Sequence, residues 1–586
     1  MDGSGLLDAL AAAGVRRGDP VSLVIKADLG IGVAAGGDAW SFADAGASPA
    51  TPLLSAVASA ETSLHPRWVL WSGDTSLILT RCGIRVGLAW DLAAVHRLLF
   101  GGWRADPGLV WAAAHGLPLH EIPSAGPVDL FDSLDNMGGD PVQPVRTDGY
   151  LRADWATGAW GDNVENLRSW AALGVDVAAR QSALLAGITD RPAATATARA
   201  ESGAELLCAE MTIDGLPMDR ATAASIIAGF VGPRPLNDTE ADMLRSERDA
   251  DVLRHVAAGV EVDLRSNAQV KVLLGRLGID VADTRAHHLR EVADRHPIVG
   301  ALLAWRKAER IATTYGYRWL DDHLGADGRL RGEWSVADGA AGRMTASAGL
   351  HSMPAELRPA VAAETGMTFV RADLGQIEPR VLAVVSGDPA LAAAAGQEDM
   401  YAPVAQQLHV DRATAKTAML GAMYGATTGR SAQALHRLRA TYPSAMAYLD
   451  RAAREAASGQ DLRTYGGRLI PMSRDRAAAA QPETPGAAAA RGRYGRNAVI
   501  QGAAAELFKM WAVTVRARIT GLDAHIVLCL HDELIIQTPK PHAASVAEAV
   551  ARALEEAVWR WAQGTPVRFP ADISIVNRWS DAKIQP

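Results

Sequence analysis

The sequence predicts a multidomain protein in which an α/β domain over residues 1–195 precedes a larger α+β region over residues 196–586. The length of 586 residues, with 49% hydrophobic and 21% charged residues, is typical of a soluble globular chain with several domains. In the first part, short strand-like runs alternate with helical runs, as in α/β domains. In the second part, long helical stretches separate strand-like runs that lie far apart in sequence.

The N-terminal domain carries the clearest alternation. Its strand-like runs include residues 21–26 and 68–70, and its helical runs include residues 91–100 and 166–185. Gly30-Ile-Gly32 follows the first strand, and we expect a turn there because the rest of a dinucleotide-binding pattern is missing. Residues 116–149 are rich in Pro, Gly and Asp, which predicts a long loop.

Cysteine use and hydropathy bear on the cellular compartment. The three cysteines, Cys82, Cys208 and Cys529, are scattered without the spacing of a metal site, which predicts a reducing compartment. No signal peptide and no long uncharged apolar run is present, so we expect neither secretion nor membrane spanning. These features predict a cytoplasmic protein.

The charge is distributed unevenly along the chain. The net charge is −8, but residues 401–500 carry 14 basic residues against 6 acidic ones, whereas residues 1–200 carry 14 against 21. A basic block inside an acidic chain predicts a localised phosphate-binding surface. The alternative is a solvated charged face.

Residues 368–380 (Thr-Phe-Val-Arg-Ala-Asp-Leu-Gly-Gln-Ile-Glu-Pro-Arg) predict a buried strand that ends at Asp373 and a helix that begins shortly after it. Pro379 suits the first turn of that helix, where its missing N–H costs no hydrogen bond. A carboxylate at the end of a buried strand suits a hard cation such as magnesium. Taken alone the pattern is weak, because most such residues cap a helix or face solvent.

Residues 525–538 predict a hairpin. Two apolar runs flank His531-Asp532-Glu533, so the acidic residues would lie at the tip. The alternative is a solvated turn without chemistry.

Residues 411–425 predict a helix with Asp411 as its N-cap. Four residues recur every fourth position and stay near one face over roughly 18 Å: Arg412, Lys416, Leu420 and Tyr424. That length is enough to run from a triphosphate to the base beyond it. The alternative is an amphipathic helix with a solvated basic end.

Together these three segments resemble the polymerase motifs of the family-A DNA polymerases, the DNA polymerase I type. Residues 373–380 resemble the first motif, Asp-Tyr-Ser-Gln-Ile-Glu-Leu-Arg. Residues 412–425 resemble the second, Arg-x3-Lys-x3-Phe-x3-Tyr-Gly, with Leu420 at the aromatic position. Residues 531–533 match the third, His-Asp-Glu. The resemblance extends from about Ala204 to the C-terminus.

The resemblance implies a right-hand polymerase. We expect the palm over residues 196–230, 321–399 and 500–586, the thumb over 231–320 and the fingers over 400–499. The palm strands should form one antiparallel sheet that brings Asp373 and Asp532 together although 159 positions separate them. Within the fingers, residues 477–490 are of low complexity and are expected to be mobile.

Residues 1–195 stand where this family carries an RNase H-like 3′–5′ exonuclease domain, but the nuclease motifs are degenerate. No Asp-x-Glu occurs in residues 1–200, Gly87-x3-Asp91 replaces Asn-x3-Asp, and Trp170-x3-Gly174 replaces Tyr-x3-Asp. One carboxylate cannot hold two metal ions. We therefore expect an exonuclease-like scaffold without proofreading, and a polymerase that retains 3′–5′ exonuclease activity is the alternative.

The resemblance implies addition of dNTPs to a primer 3′-hydroxyl, with release of pyrophosphate, in DNA replication or repair synthesis. Asp373 and Asp532 would hold two Mg²⁺ ions, or Mn²⁺ in their place. Glu533 would support this site from beside it. Lys416 would protonate the leaving pyrophosphate.

The remaining site residues are assigned by the same resemblance. The resemblance assigns nucleotide binding to residues of the first two motifs: Gln376, Glu378, Arg412, Lys416, Leu420 and Tyr424. Of these, Glu378 beside Tyr424 would crowd the 2′ position of the sugar and favour deoxyribonucleotides. The resemblance assigns DNA contacts to Arg343, Arg493, Asn497, Gln501 and His531.

Three functions follow as hypotheses: a template-directed DNA polymerase, a single-subunit RNA polymerase, and a non-catalytic primer–template binder. Glu378 at the sugar position argues against the second. The intact Asp373, Asp532, Arg412 and Lys416 argue against the third. The expected partners are primer–template DNA and dNTPs, with no membrane, for a monomer in the cytoplasm near the nucleoid.

Overall fold

The computed structural model describes residues 4–44, 52–124, 143–257, 260–338, 341–425, 432–472 and 486–582. They divide into two units. The first unit comprises Met1–Asp214, Glu333–Ala346 and Gly366–Val576, and the second comprises Gly215–Gly332, Ser347–Thr365 and Asn577–Pro586. Every residue predicted for the polymerase site belongs to the first unit.

A five-stranded sheet organises the N-terminal part of the first unit. Its strands are β1 (Pro20–Lys26), β2 (Gly30–Ala35), β3 (Asp38–Ala43), β4 (Arg67–Leu70) and β5 (Leu88–Asp91). The spatial order is β3-β2-β1-β4-β5. β1, β2 and β3 pair antiparallel, whereas β4 runs parallel to β1 and β5 parallel to β4. The alternation of strands and helices predicted for this domain is confirmed.

The predicted turn at Gly30-Ile-Gly32 is wrong, because these residues begin β2. Gly30 pairs with Lys26 of β1, so the reversal occurs over residues 27–29. Gly32 allows the helix that contains Leu167 to pack closely against β2, since a Cβ at position 32 would lie 2.1 Å from the carbonyl oxygen of Leu167. A pattern of glycines could not reveal this approach of a helix to the strand.

Helices surround this sheet. They are α1 (Ser4–Ala12), α2 (Pro52–Leu64), α3 (Gly73–Arg81), α4 (Leu92–Phe100), α5 (Pro107–Ala114), α6 (Ala153–Thr157), α7 (Val164–Ala186) and α8 (Ala194–Asp214). α7 begins at the N-cap Asn163, whose side chain accepts a hydrogen bond from the Asn166 N–H. It packs across β1, β2 and β3. Much of the loop predicted over residues 116–149 lies outside the described residues.

The second unit contains most of the helical stretch predicted as the thumb. Its elements are β6 (Leu216–Pro217), α9 (Arg220–Val231), α10 (Asp238–Leu253), α11 (Asn267–Arg276), α12 (Ala286–Glu291), α13 (Pro297–Thr314), α14 (Tyr317–His323) and β7 (Arg329–Leu330). β6 and β7 pair antiparallel. A core that includes Val252, Leu273, Leu302 and Trp305 holds α10, α11 and α13 together.

A second sheet, here called the palm sheet, contains β10 (Met367–Leu374), β13 (His525–Leu530), β14 (Glu533–Pro539) and β15 (Ala571–Val576). Its order is β13-β14-β10-β15, and every pair is antiparallel. The expectation of one antiparallel sheet built from these distant segments is confirmed. Two short strands, β8 (Trp334–Ser335) and β9 (Thr345–Ala346), pair separately.

Helices and one small hairpin complete the first unit. They are α15 (Ile377–Ser386), α16 (Pro389–Ala395), α17 (Tyr401–Leu408), α18 (Arg412–Tyr424), α19 (Ala432–Thr441), α20 (Pro443–Ala457), β11 (Leu462–Arg463), β12 (Leu469–Ile470), α21 (Ala487–Arg518) and α22 (Ala543–Trp561). Asp411 caps α18 as predicted, since its side chain accepts a hydrogen bond from the Thr414 N–H.

Residues 473–485, within the predicted low-complexity segment, lie outside the described residues. Residues 487–490 differ from that prediction because they form the first turn of α21. The 32-residue α21 is the one helix among the described residues that is long and apolar enough to cross a membrane. Its most apolar window is 89% buried within the protein, as in a core helix.

Candidate active site

Four acidic residues meet at one edge of the palm sheet because the strand register places them there. Asp373, near the end of β10, pairs with Glu533 on β14 and with Asp572 on β15. Asp532 lies in the two-residue turn between β13 and β14, where its carbonyl oxygen accepts a hydrogen bond from the Leu374 N–H at 2.8 Å. The two predicted metal ligands thus lie at the same edge.

The electrostatics of this edge favour a cation. Burial, and after it the neighbouring carboxylate of Asp373, raise the pKa of Asp532 to about 7. Glu533 and Glu378 act in the same direction. A cation beside a carboxylate that is surrounded by like charges strongly stabilises its ionised form. The described residues contain no group of three or more His, Cys, Asp or Glu arranged as a metal site, so a divalent ion here would also need oxygens from water or a bound nucleotide.

Arg371 is the cation that this edge already contains, and the sequence analysis did not single it out. Its Nε donates to Glu533 Oε1 at 2.6 Å, its Nη2 to Asp373 Oδ2 at 2.7 Å, and its Nη1 to Asp572 Oδ2 at 3.1 Å. The side chain is buried. Since residues two apart on a strand face the same side, the Arg–x–Asp spacing was a usable signal.

Asp399 holds the predicted phosphate-binding arginine at the start of α18. Arg412 Nε donates to Asp399 Oδ2 at 2.7 Å, and Gln376 Nε2 donates to Asp399 Oδ1 at 2.7 Å. The Arg412 side chain remains 45% exposed, so its charge still faces solvent. Arg380 is fully buried and fixes Gln376 from behind, donating to Oε1 at 3.2 Å. No local sequence pattern marks Asp399.

The rest of the α18 face is arranged as the four-residue spacing predicted. Lys416 and Tyr424 are exposed, and Leu420 between them is half-buried. Ala415 and Met419 point the other way, into the core. The helix therefore presents one basic and apolar face to solvent.

Glu378 connects the first motif to the end of α18. It accepts hydrogen bonds from the Tyr424 hydroxyl at 2.8 Å and from Arg343 Nη2 at 2.7 Å. Burial, and next the Glu378 charge, raise the pKa of Tyr424 to about 12, so the phenol stays protonated and donates. With its amide oxygen turned toward Arg343, Gln501 accepts from the guanidinium Nε at 2.8 Å. Residues from four segments thereby form one network.

The predicted DNA contacts other than Arg343 lie on the first half of α21 and at the hairpin tip. Arg493 is exposed, whereas Asn497 and Gln501 are half-buried on the same helix. Gly425, with φ +76°, lies against Arg493: a Cβ there would come within 3.1 Å of the arginine Cγ. His531 is exposed in the β13–β14 turn at φ +55°.

Within residues 1–195, the single carboxylate at the degenerate nuclease-motif positions has a structural role. Asp91 is fully buried and caps α4, accepting a hydrogen bond from the Ala94 N–H at 2.8 Å through Oδ1. Its Oδ2 has no hydrogen-bond partner within the described part of the chain. Burial raises the pKa of Asp91 to about 6.

The altered third nuclease-like segment is part of the hydrophobic core. Trp170 of α7 stacks on Trp71 with ring centroids 4.2 Å apart, and Trp160 lies on the same stack at 6.0 Å. A Cβ on Gly174 would lie 2.5 Å from Ser22 Oγ of β1. An aspartate at 174 would therefore require at least the Ser22 side chain to move.

Comparison with known proteins identifies the family. The model of DNA polymerase family A matches residues 236–581, more than half of the chain. The chain belongs to DNA polymerase family A. The predicted resemblance is therefore confirmed.

Curated relatives agree with this assignment over part of their length. DNA polymerase I of Chloroflexus aurantiacus is 30% identical over 384 residues, which cover 57% of this chain and 39% of the relative. The thermostable DNA polymerase I of Thermus aquaticus is 28% identical over 375 residues, covering 57% and 43%. DNA polymerase theta of Caenorhabditis elegans is 24% identical over 54% of the chain and 21% of the relative. The chain thus spans about two-fifths of the DNA polymerase I relatives.

Among solved structures, the chain is similar to the polymerase domain of Pol1 from M. smegmatis, solved in complex with DNA primer–template and dNTP. The TM-score is 0.68 at 20% identity, and the match covers 99% of both chains. This likeness concerns the fold, and it confirms the right-hand polymerase architecture. The division into palm, thumb and fingers at the residues given above stays a prediction.

Proposed function

We propose that this chain is a template-directed DNA polymerase that adds dNTPs to a primer 3′-hydroxyl and releases pyrophosphate. The observation that carries the proposal is the palm-sheet register, which places Asp373 opposite Glu533 and beside the Asp532 turn. Family membership supports the same reaction. Phosphoryl transfer requires positioned charges more than covalent chemistry, and this edge supplies them.

The donor set suits magnesium. Asp373 and Asp532 provide hard carboxylate oxygens, and burial, followed by the neighbouring Asp373 charge, raises the pKa of Asp532. Two Mg²⁺ ions held by these residues would activate the primer hydroxyl and stabilise charge on the triphosphate. Glu533 is buried and bound to Arg371, so its role is to support the edge from beside it.

The exposed face of α18 suits the incoming nucleotide. Arg412 provides a guanidinium fork for phosphate oxygens, and Lys416 provides a mobile point charge one turn further along. Asp399 and Gln376 keep Arg412 pre-oriented, which lowers the entropic cost of binding. We assign the protonation of the departing pyrophosphate to Lys416 as well, by the family resemblance.

The Glu378–Tyr424 pair suits selection of the sugar. The hydrogen bond between them fixes both side chains, and Arg343 fixes Glu378 from another direction. A rigid side chain in contact with the 2′ position excludes a ribose hydroxyl sterically. Contacts with the primer–template are assigned to Arg343, to its partner Gln501 and to the exposed Arg493.

We further propose that the N-terminal domain is an RNase H-like scaffold without nuclease activity. The sheet order β3-β2-β1-β4-β5, with two antiparallel and two parallel strand pairs, supports the likeness. Asp91 is committed to capping α4, and the remaining motif positions are Gly87, Trp170 and Gly174. A two-metal nuclease needs more carboxylates than these positions supply.

A primer-extension assay tests the polymerase proposal. The purified chain is incubated with Mg²⁺, a labelled primer on templates that differ at one position, and either dNTPs or rNTPs. Extension with only the complementary dNTP is expected. Equal use of rNTPs would indicate an RNA polymerase, and binding without extension would indicate a non-catalytic binder. The Asp532→Asn variant, purified in parallel, excludes a contaminating polymerase.

A further inference from the structure

Arg371 occupies an unusual position for a buried arginine, because its guanidinium bridges carboxylates on three neighbouring strands. It reaches Asp373 on its own strand, Glu533 on β14 and Asp572 on β15, all within 3.1 Å. The side chain is 6% exposed, and that of Glu533 is 7% exposed. One fixed positive charge therefore serves three acidic groups at the edge that carries the predicted metal ligands.

A purely structural ion pair would need only one of these partners. Glu533 alone could neutralise Arg371, since it is the buried partner at 2.6 Å. The additional contact with Asp373 engages one oxygen of a residue predicted to ligate metal, and that residue is 30% exposed. The guanidinium therefore acts on the metal ligand as well as on the buried core of the sheet.

We propose that Arg371 is a positioning residue that pre-orients Asp373 and Glu533 and, through its fixed charge, weakens the affinity of this edge for divalent cations. The inference rests on the proposed function, since it assigns Asp373 to the polymerase metal site. Without the guanidinium, Asp373, Glu533 and Asp572 would repel one another and spread apart. With it, the carboxylates stay close, but each incoming cation meets a like charge.

The two effects have opposite consequences and can be separated by charge. A neutral side chain at 371 removes the repulsion, so the site binds cations more tightly, but the Asp373 carboxylate loses its orientation. A lysine keeps the charge but cannot form the three directed hydrogen bonds of the guanidinium. Metal affinity should therefore follow charge, and the rate at saturating metal should follow hydrogen-bond geometry.

The test measures Mn²⁺ binding by electron paramagnetic resonance in the absence of DNA and nucleotide, with Asp532→Asn as the reference that lacks the site. For Arg371→Met we expect Mn²⁺ to bind about fivefold or more tightly than to the wild type. For Arg371→Lys we expect an affinity within twofold of the wild type. Single-nucleotide incorporation at saturating Mg²⁺ should fall about tenfold or more in both variants.

Arg516 offers a matched control. It belongs to the same unit and forms a buried pair with Glu210 through Nε at 2.9 Å. Arg516→Met should lower the melting temperature, as the loss of a buried pair does, and leave Mn²⁺ affinity unchanged. If Arg371→Met does not fold, Arg371→Gln replaces it, because its amide retains one hydrogen bond while removing the charge.

The inference is overturned if neutral variants at 371 bind Mn²⁺ with wild-type or weaker affinity, or if Arg516→Met tightens binding equally. Its failure is distinct from failure of the proposed function. A wild-type chain that never extends primers would refute polymerase activity, whereas the Mn²⁺ comparison requires no turnover. Conversely, an active polymerase with unchanged Mn²⁺ affinity at Arg371→Met refutes this inference alone.

Discussion

The hydroxyl of Tyr424 donates a hydrogen bond to Oε2 of Glu378 at 2.8 Å, joining residues 46 positions apart in sequence. The other carboxylate oxygen, Oε1, accepts from Arg343 at 2.7 Å. Glu378 is therefore held from two sides, with 13% of its side chain exposed. A side chain fixed in this way has the rigidity that steric selection of a substrate requires.

Replacing Glu378 by Ala should open the space around the 2′ position. We expect the preference for dNTPs over rNTPs, measured as the ratio of their kcat/KM values, to fall by about tenfold or more. Glu378→Gln keeps the volume and should retain most of the preference. Tyr424→Phe keeps the ring but releases Oε2 of Glu378, while Arg343 still binds Oε1, so an intermediate loss is expected. An unchanged ratio in Glu378→Ala would refute the assignment.

The two predicted metal ligands should be essential for chemistry but not for binding DNA. Asp373→Asn and Asp532→Asn should each abolish primer extension, because a neutral amide cannot replace a carboxylate as a ligand for Mg²⁺. Affinity for primer–template, measured by fluorescence anisotropy at fixed salt, should change less than about threefold, since phosphate contacts dominate it. Near wild-type extension by either variant would contradict the site.

The sequence was sufficient to predict the strand at Asp373, the helix at 412–424 and the acidic hairpin tip. Each of these depends on local signals: an apolar run, an N-cap at Asp411 and a short turn. Joining Asp373 to Asp532 required the family resemblance, since strand order and register are properties of the whole sheet.

The residues that the sequence analysis missed depend on contacts between distant segments. Asp572 reaches the site because β15 pairs with β10, and Asp399 because it lies against Arg412 in space. The strand at Gly30-Ile-Gly32 was missed for a related reason. Glycine marks turns in most sequences, whereas Gly32 serves the close approach of α7.

The N-terminal domain should show no proofreading. We expect no metal-dependent shortening of single-stranded or mismatched primers, because Asp91 caps α4 from a fully buried position. Gel analysis of end-labelled primers with Mg²⁺ or Mn²⁺ and no dNTPs provides the measurement. The control is Asp91→Asn, which preserves a capping acceptor. Degradation that survives purification and disappears in this variant would restore the alternative of a proofreading enzyme.

Glu205 should make stability depend on pH. Burial, followed by the Asp91 charge, raises its pKa from 4.5 to about 8, although Arg97 lies 3.3 Å away. A folded-state pKa above the unfolded value means that the folded state holds the proton more firmly. Stability is therefore lost as the pH rises from about 4.5 to 8.

Glu205→Gln should remove this loss. In urea unfolding at pH 8.5, we expect the free energy of unfolding of the variant to exceed that of the wild type by about 2 kcal/mol. At pH 4.5 the two free energies should be similar. Glu210 on the same helix is the matched control. Burial would raise the pKa of Glu210, but the ion pair with Arg516 outweighs burial and lowers it. Glu210→Gln should therefore lower the free energy of unfolding at pH 8.5. The prediction would be contradicted if the difference in free energy of unfolding between Glu205→Gln and the wild type did not change with pH.

Leu420 is the point at which this chain departs from the second polymerase motif, which has Phe at that position. The side chain is half-buried on the exposed face of α18, between Lys416 and Tyr424. Leucine keeps apolar volume but lacks the flat face of a ring, and base–aromatic stacking is worth about 1–3 kcal/mol. We therefore expect weaker nucleotide binding and looser geometric control than a ring at this position would give.

Leu420→Phe should lower the KM for dNTPs by about threefold to tenfold, because even the lower end of the stacking range corresponds to such a factor. It should also reduce misinsertion, since a ring restricts the tilt of the incoming base. Leu420→Met changes the side chain without adding a ring and should leave both quantities unchanged. Single-nucleotide kinetics with matched and mismatched dNTPs measure both. If Phe and Met behave alike, leucine packs as well as a ring does, and the departure from the motif has no consequence for selection.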